Sequence, residues 1–424
     1  MTQTSPTISH WTREQASHIS VDTRTTFPTF DPLELTALLP DYEVWDNWLV
    51  LDESHEIAEI EGFRILVALA APRNRRAVTR LYFFYSKDGV HYEAGGTMTD
   101  QTLEQGTHEW SGCTVLRDDG TLQTFYTVAR SIPSMPTQLD QRLATFTQEV
   151  YVTEDEVVLQ PPFHHAIIAV PDGYFYQTAY QAHMCEQQYP SAKGRIGNNK
   201  QDNFCFRDPH FFKDPKTQKS YLLFEANTGF SYCPQGFLNH DYVGNPNYEP
   251  RYVPTMDACK ANGCVGIAEL TDNRYQSLSY LPPLLTTNFV TDEIERINML
   301  VHEGSYYLFC VTRGRKMTLV NAATQNSVFM LGFRSDSLFG SYTPLNDSGV
   351  VIRQDHGPGG EGSSPQNLYS FMVMPDLSVM CYANYCNNGN HQLQRCRTAG
   401  PSVQLYIEGS STRLGKLSYQ LLAS

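Results

Sequence analysis

Charged side chains are scarce in this chain, and basic ones are scarcer than acidic ones. Of its 424 residues 18% are Asp, Glu, Lys or Arg, against about 25% in a typical soluble domain. The 31 basic and 45 acidic residues give a formal net charge of -14, and no cluster of Lys and Arg occurs. Because phosphate binding needs clustered cations, we expect no nucleic-acid partner.

Long apolar runs are also missing. Nowhere do roughly eighteen apolar residues follow one another, as a membrane-spanning helix would need. The first residues contain no basic segment followed by an apolar run, so no secretory signal is expected. We therefore expect a soluble protein with no membrane partner, which is either cytoplasmic or secreted by a leaderless route.

The cysteines form no metal-binding pattern. Ten are present, without a CxxC pair or the Cys/His spacing of a zinc site, which argues against structural zinc. Cys386 and Cys396 flank a polar stretch and could close a hairpin in an oxidising compartment. The alternative is that both cysteines are free thiols, and this is the state that we expect.

Aromatic residues, by contrast, are abundant, with 25 Tyr and 22 Phe, and they favour strands. Regular short strands without strand–helix alternation predict an all-β fold, either a propeller or a sandwich. Two segments resemble one hairpin used twice, 85–92 and 334–342, which suggests a repeated blade. Short apolar runs that end in turn residues occur at 80–96, 121–130, 219–226, 304–313, 327–335 and 377–386.

Helix and loop signals are fewer. Asp31 followed by Pro32 and the segment LELTALL predicts the start of a helix. Stretches rich in Gly, Pro, Asn and Ser at 183–200, 231–259 and 355–366 predict loops that could shape a site on a rigid sheet scaffold.

Three acidic residues far apart in the sequence lie in short motifs suited to sugar cleavage. They are Asp46 in VWDNW, Asp208 in FRDPHF and Glu295 in TDEIERIN. Cleavage with retention of configuration needs a nucleophilic carboxylate and a carboxylic acid roughly 5 Å apart, and Asp46 and Glu295 are our candidates. Each motif alone could equally be a turn or an ion pair, so the prediction rests on the set.

The neighbours of these residues support such roles. Indole faces beside Asp46 suit the apolar face of a sugar ring and exclude water, which favours a nucleophile. Glu295 follows Asp292 and Glu293, and crowded carboxylates raise one another's pKa, as a proton donor near neutral pH requires.

Six motifs occur in the order in which levansucrases and inulosucrases, glycoside hydrolase family sixty-eight, carry similar ones. They are WDNW, EWSG, RDP, FEANTG, DEIER and RGRKM, and they look closest to the Bacillus type. The resemblance covers about 41–406. It implies a five-bladed β-propeller with a central funnel-shaped active site, in a single catalytic domain, 1–424, whose residues 1–40 pack on the propeller as an extension.

The resemblance also implies residue roles. Asp46 matches the nucleophile, Glu295 the acid/base, and Asp208 the carboxylate that stabilises the oxocarbenium-like transition state. Glu293 would help to bind the leaving sugar, and Asn203 matches a position that supports a growing fructan. The substrate-binding positions are Trp45, Trp110, Ser111, Asn203, Arg207, Glu293, Arg296, Arg313 and Tyr369.

No cofactor is implied for catalysis, but a structural calcium ion is. In the similar enzymes this ion is held by four side chains and one main-chain carbonyl. The carbonyl matches that of Lys260 in this chain. All of them offer the oxygen that Ca²⁺ prefers. The four side chains are those of Asp202, Gln235, Asn262 and Asp292.

One departure from the family pattern concerns the acceptor. Levansucrases commonly read YSH where this chain has Tyr369, Ser370 and Phe371. We expect Phe371 to remove a polar contact near the site and so to favour water or short acceptors over a growing chain.

The expected function is cleavage of sucrose and transfer of the fructosyl unit to water, sugars or fructan. Alternatives are a levansucrase or inulosucrase that makes long polymer, another five-bladed glycosidase such as an arabinan-cleaving one, and a propeller that binds carbohydrate without catalysis. The DEIER and RGRKM motifs argue against another five-bladed glycosidase. The set of three acids argues against a propeller that only binds carbohydrate.

Overall fold

The computed structural model describes residues 8–73, 78–188, 204–229, 261–319 and 324–423, without the side chains of 185–188. In these ranges helix α1 spans Arg13–Ser17 and helix α2 spans Ala179–Gln188. Neither helix is long and apolar enough to cross a membrane. All the other regular elements of these described ranges are strands or single 3-10 turns.

The strands are numbered in chain order. The first twelve are β1 Ser9–His10, β2 Tyr42–Leu49, β3 Leu51–Asp52, β4 Arg64–Pro72, β5 Arg80–Ser86, β6 His91–Thr97, β7 His108–Leu116, β8 Leu122–Ser131, β9 Leu139–Gln148, β10 Val150–Val152, β11 Val157–Leu159 and β12 Phe163–Ala169. The others are β13 Phe206–Lys213, β14 Ser220–Asn227, β15 Gly263–Leu270, β16 Leu278–Thr286, β17 Glu295–His302, β18 Ser305–Arg313, β19 Ser327–Ser335, β20 Thr343–Pro344, β21 Val350–Asp355, β22 Leu368–Val373, β23 Ser378–Asn387, β24 Leu393–Ala399, β25 Ser402–Glu408, β26 Ser411–Ser418 and β27 Leu422–Ala423.

In the described ranges these strands form five large sheets, the blades of a propeller, and a small hairpin of β10 and β11. From the centre outward, blade one contains β2, β4, β5 and β6, blade two β7, β8, β9 and β12, and blade three β13 to β16. Blade four contains β17, β18, β19 and the pair β20 and β21, and blade five contains β22 to β26. The prediction of an all-β, five-bladed propeller is confirmed.

The inner strands β2, β7, β13, β17 and β22 contact one another in a closed ring. Each of them has a shift of register against the second strand of its blade, at 45–48, 110–112, 207–210, 295–298 and 369–372. Such β-bulges bend a strand and redirect its side chains. Because the shifts lie on strands that surround one axis, they open a cavity at the centre of the ring.

Short parallel strands pair with two blades at their outer edges. β1 pairs with β16 of blade three, and β27, near the end of the chain, pairs with β6 of blade one. Trp11, just after β1, is fully buried, and its Nε1 donates to the Ser348 carbonyl at 2.9 Å. These contacts tie both ends of the described chain to the blades.

Apolar side chains fill the spaces between blades. One buried cluster around Phe84, Tyr126 and Met380 joins blades one, two and five. Fully burying an apolar side chain of this size contributes about 1.5–3 kcal/mol, so the packed blades form a rigid support for the central cavity.

The strand predictions are confirmed, because each of the six predicted runs overlaps a strand of the structure. The two similar segments are equivalent hairpins, since 85–92 joins β5 to β6 in blade one and 334–342 joins β19 to β20 in blade four. Each turn therefore connects the third strand of its blade to the next one outward.

The helix predictions were less accurate. Asp31 caps only a 3-10 turn, Pro32–Glu34, in which its carboxylate accepts from the Leu33 N–H at 2.9 Å. The chain then becomes extended, because Leu35 is buried between blades and an exposed helix would not bury it. The predicted loop at 183–200 begins within α2, and its remainder lies outside the described residues, as does 231–259. The loop at 355–366 is present after β21.

Candidate active site

A cavity of about 260 Å³ lies where the inner strands bulge. Side chains from all five blades line it, and they come from positions more than three hundred residues apart in the sequence. The lining residues are Trp45, Asp46, Leu69, Trp110, Ser111, Arg207, Asp208, Glu295, Arg313, Glu361, Tyr369, Tyr382 and Arg397. The structure thus places the three predicted catalytic acids in one cavity.

Backbone strain accompanies this arrangement. Asp46 has a φ of 46° and Asp208 a φ of 55°, and Arg296, beside Glu295, also has a φ of 55°. Non-glycine residues rarely adopt such angles, at a cost of about 1–3 kcal/mol each. At Gly112 of blade two, an added Cβ would lie 1.8 Å from the Phe125 carbonyl oxygen, so only glycine fits this bulge.

Glu295 is enclosed by hydrogen-bond donors. Its Oε1 accepts from an Arg207 Nη at 2.9 Å, and its Oε2 accepts from an Arg313 Nη at 3.0 Å. The Tyr369 hydroxyl also donates to Oε2. The Arg313 guanidinium lies over the Tyr369 ring, 3.9 Å from its centre, which fixes both side chains beside the carboxyl.

The pKa of Glu295 suits a proton donor. Burial raises this pKa to about 7. The carboxylates of Glu293 and Asp208 contribute to this rise, the guanidiniums of Arg313 and Arg207 oppose it, and the value of about 7 is the net result. A carboxyl that titrates near pH 7 can hold a proton until a leaving oxygen needs it.

Asp46 has a different environment. Its Oδ2 accepts a hydrogen bond from the Ser111 hydroxyl at 2.6 Å, which orients the carboxylate in the cavity. Of the two neighbouring indoles, Trp45 lines the cavity. Trp48 instead lies in the core, with its Nε1 donating to the Thr114 hydroxyl at 3.2 Å. Of these two indoles, only that of Trp45 therefore borders the cavity.

Asp208 is held by main-chain groups. Its Oδ2 accepts from the Arg296 N–H at 3.1 Å, and its own N–H donates to the Thr127 hydroxyl at 2.9 Å. Burial raises the pKa of Asp208, and the Asp46 carboxylate adds to that rise, while Arg207 and Arg296 oppose it. A carboxylate fixed in this way can accept hydrogen bonds from sugar hydroxyls or stabilise positive charge.

Glu225 supports the site through two contacts, and the sequence reading did not single it out, although it lies in the FEANTG motif. It is fully buried, and its Oε2 accepts from Arg207 Nε at 2.6 Å. Its Oε1 accepts from the Ile294 N–H at 3.0 Å, one residue before Glu295. Glu225 therefore positions both an arginine of the cavity and the segment that carries the proton donor.

Two of the predicted substrate-binding residues lie behind the cavity wall. Glu293 is 1% exposed and pairs with an Arg313 Nη at 2.9 Å and with Lys316 Nζ at 3.5 Å. Despite its burial, these cations lower the pKa of Glu293. The Arg296 guanidinium is buried and donates to the Asn47 carbonyl at 2.8 Å.

The remaining predicted position, Asn203, lies outside the described residues. By contrast, the cavity contains three polar residues that the sequence reading missed, namely Glu361, Tyr382 and Arg397. Glu361 accepts from an Arg313 Nη at 3.1 Å and from the Tyr382 hydroxyl at 2.6 Å. No motif marks it, because it lies in a loop of glycines and serines.

Phe371 does not have the expected position. Its side chain is fully buried in the core, where its ring centre lies 5.8 Å from that of Phe27. Tyr369 faces the cavity, and a φ of 63° at Ser370 breaks the alternation that would place residues 369 and 371 on one face. The expectation that Phe371 contacts an acceptor is wrong.

Two of the proposed calcium ligands can be placed. Asn262 and Asp292 are both buried and meet at Asn227, whose amide nitrogen donates to Asn262 Oδ1 and to the Asp292 carbonyl, both at 3.1 Å. This buried set of oxygens fits the preference of Ca²⁺. The other three candidates, Asp202, Gln235 and Lys260, lie outside the described residues.

Every cysteine whose side chain the structure describes is a free thiol, as expected, and this includes Cys386 and Cys396. Both are fully buried on neighbouring strands of blade five. An Arg73 Nη donates to the sulfur of Cys396 at 2.7 Å.

A five-bladed propeller whose inner strands present two aspartates and a glutamate of raised pKa in one cavity defines a class of glycoside-cleaving enzymes. The sequence profile described as Levansucrase/Invertase matches residues 1–419 of this chain. The chain belongs to that family, which confirms the resemblance seen in its motifs.

Individual relatives agree with this assignment. The chain is 32% identical over 405 residues to the levansucrase of Bacillus amyloliquefaciens, covering 89% of this chain and 80% of that protein. It is 30% identical over 440 residues to the levansucrase of Bacillus subtilis strain 168, covering 96% and 88%. A crystal structure of a B. megaterium levansucrase variant superposes with a TM-score of 0.83 at 29% identity and covers 98% of each chain.

Proposed function

We propose that this protein cleaves sucrose with retention and transfers the fructosyl unit to water or to a sugar. The observation that carries the proposal is the set of three acids in one cavity, in which Glu295 has a pKa raised to about 7 and Asp46 is oriented by Ser111. The choice of sucrose as the substrate rests on family membership and on the levansucrase relatives.

In the proposed mechanism Asp46 attacks the anomeric carbon of the fructosyl unit, and the bond to the glucosyl oxygen breaks. Glu295 gives its proton to that oxygen, so that glucose leaves neutral and a fructosyl ester of Asp46 remains. Asp208 stabilises the positive charge that develops on the fructosyl ring.

The second half of the reaction reverses these roles. The Glu295 carboxylate removes a proton from water or from an acceptor hydroxyl, which attacks the fructosyl carbon and releases Asp46. The neighbouring Arg207 and Arg313 keep Glu295 in place through both halves. Fructose or a fructosylated sugar is the product.

We propose hydrolysis with transfer to short acceptors at high sucrose, and little long polymer. Glu361, Tyr382 and Arg397 support this, because they form a wall of linked polar side chains beside Arg313. We infer that this wall limits the space for a growing chain beside Arg313. A levansucrase or inulosucrase that makes long fructan is the alternative.

Product analysis tests the proposal. We expect free glucose to appear in some excess over free fructose at high sucrose, and the two to approach equality at low sucrose. Glucose and fructose are measured separately, with size analysis of the polymeric fraction. Abundant high-molecular-mass fructan would favour the alternative, and the absence of both sugars would leave a binding propeller or a glycosidase of another specificity.

We also propose a structural calcium ion held by Asn262 and Asp292, together with Asp202, Gln235 and the Lys260 carbonyl. Asp292 lies three residues before Glu295 in the sequence, and the Asn227 amide links it to Asn262. An ion there would fix the segment that leads into β17. The calcium ion would cross-link chain segments and would take no part in the reaction.

Chelation tests this second proposal. We expect EDTA to lower the melting temperature by several degrees, because a ligand at about a hundred times its Kd stabilises the native state by about 2.7 kcal/mol. Added Ca²⁺ should restore the original value, and Mg²⁺ at the same concentration should not. An identical melting curve before and after EDTA, in protein shown by metal analysis to have no calcium, would reject the ion.

A further inference from the structure

Four buried polar side chains follow lining residues of the catalytic cavity by one or two positions in the sequence. Each of them is at most 4% exposed, so none reaches solvent. The proposed mechanism uses none of these side chains. They are Asn47 on β2, His210 on β13, Arg296 on β17 and Ser370 on β22.

Some of their polar atoms have no hydrogen bond of good geometry in the described part of the chain. Buried polar groups of native proteins are partnered in roughly nine cases of ten, and an unpartnered one costs about 1–3 kcal/mol. Such atoms on four of the five inner strands therefore need a common explanation. The atoms are Asn47 Oδ1, Arg296 Nε, Ser370 Oγ and both ring nitrogens of His210.

These four residues lie at one level of the propeller. A second cavity, of about 450 Å³, has His55, Lys213, Leu300 and Pro375 in its lining. These residues lie near or beyond the C-terminal ends of β2, β13, β17 and β22. The four inner strands therefore run from the catalytic cavity toward the second cavity, and the residues just after the catalytic ones lie between the two.

Arg296 connects this level to both catalytic aspartates. One of its Nη atoms donates to the carbonyl of Asn47, the residue after Asp46, at 2.8 Å. Its main-chain N–H donates to Asp208 Oδ2 at 3.1 Å. Any group that holds the Arg296 side chain therefore also holds the segment that fixes Asp208.

His210 neighbours both Arg296 and the second cavity. Its ring stacks on that of His55, with the ring centres 6.4 Å apart. Burial, with His55 and Arg296 nearby, lowers the pKa of His210 to about 3, and the Met299 carbonyl opposes this fall. The imidazole is neutral near pH 7, with one donor and one acceptor nitrogen. A carbonyl can engage only the donor, so the acceptor nitrogen still needs a partner.

The chemistry of the unpartnered atoms defines their ligand. The Arg296 guanidinium would repel a cation, whereas Asn47 Oδ1 and the acceptor nitrogen of His210 would repel an anion. An apolar ligand would leave all of these atoms unpaired. Water both donates and accepts, and a buried water molecule makes about three hydrogen bonds to groups that are otherwise unsatisfied. Water is therefore the ligand that fits this mixed set.

We propose that these four side chains hold a cluster of ordered water molecules between the two cavities, and that His210 acts through this water as a positioning residue. The water links the His210 ring to Arg296 Nε, and the Arg296 main chain holds Asp208. His210 thus keeps Asp208 where it stabilises the transition state. This role in catalysis rests on the proposed sucrose-cleaving function, but the water site does not.

Crystallography tests the water site. In the wild type we expect an ordered water molecule within about 2.7–3.2 Å of Arg296 Nε and of a ring nitrogen of His210. In His210→Leu this water should be missing, because leucine offers it no hydrogen bond. A wild-type crystal structure in which protein atoms alone surround these groups would overturn the inference.

Kinetics of two His210 variants test the positioning role. His210→Leu should lower kcat for sucrose about tenfold, in line with loss of a hydrogen bond to a charged group. KM should be nearly unchanged, because Asp208 acts on the transition state rather than on bound sucrose. His210→Gln should restore most of kcat, because its amide can both donate to water and accept from it.

His165→Leu is the matched control for loss of a histidine inside the fold. His165 lies on β12, the outermost strand of blade two, and its Nε2 is hydrogen-bonded to the Tyr126 hydroxyl at 2.6 Å. This variant should lower the melting temperature and leave kcat unchanged. Melting curves of all three variants separate lost stability from lost positioning.

The outcomes distinguish this inference from the proposed function. Wild-type kcat in His210→Leu, or an equal loss of kcat in His210→Leu and His210→Gln, would reject the positioning role while the proposed function stands. If the wild type does not cleave sucrose, the proposed function fails and the positioning role fails with it. The crystal structures then still decide whether the water site exists.

Discussion

Glu295→Gln is expected to lower kcat/KM for sucrose by about a hundred- to ten-thousand-fold, because general acid catalysis contributes a factor of that size. Glutamine has the same shape, but it has no proton to give to the glucosyl oxygen. Arg313 would still be paired with Glu293 and Glu361, so the melting temperature should change little. Turnover near that of the wild type would show that Glu295 is not the proton donor.

The pH dependence and the leaving group make this test more specific. In the wild type kcat/KM should fall as pH rises through about 7, because the Glu295 proton is lost there. The Glu295→Gln variant should not show this fall of kcat/KM with rising pH. A fructosyl donor with a nitrophenolate leaving group needs little protonation, so the variant should cleave it with a much smaller loss than it shows on sucrose.

Asp46→Asn is expected to lower sucrose turnover by about three orders of magnitude or more, as loss of a catalytic nucleophile typically does. An amide oxygen is a poor nucleophile, so no fructosyl ester forms. Activated donors should not rescue this variant, in contrast to Glu295→Gln. Rapid release of nitrophenol by Asp46→Asn would contradict the assignment.

Ser111→Ala provides a matched comparison for Asp46. It removes only the hydrogen bond to Asp46 Oδ2 at 2.6 Å and leaves the carboxylate in place. We expect a loss of about tenfold in kcat, in line with one hydrogen bond to a charged group. A loss as large as that of Asp46→Asn would mean that both substitutions disturb the bulge of β2 rather than the chemistry.

Much of the fold could be predicted from local patterns. The run 327–335 was predicted as a strand and is β19, Ser327–Ser335. The apolar runs and the turn residues that end them are encoded within a few residues, so strand positions can be read directly. The helix at Asp31 failed for the opposite reason, because burial of Leu35 between blades outweighs the propensity of the segment.

Individual positions in the site depended on contacts that no local pattern shows. Glu361 carries no motif and reaches the cavity only because its loop crosses from blade four to blade five. Phe371 is two residues from Tyr369, and an unbroken strand would place both on the same face. The positive φ of Ser370 turns Phe371 into the core instead.

The sequence by itself determined the strand content of this protein, the identity of its acids and, through six ordered motifs, its family. These properties depend on neighbouring residues and on their order along the chain. Only the tertiary structure decided which side chains share the cavity, since that depends on pairing and on bulges of strands far apart in sequence. It also decided the pKa of Glu295, because burial and the charges around a carboxyl exist only after the five blades have closed.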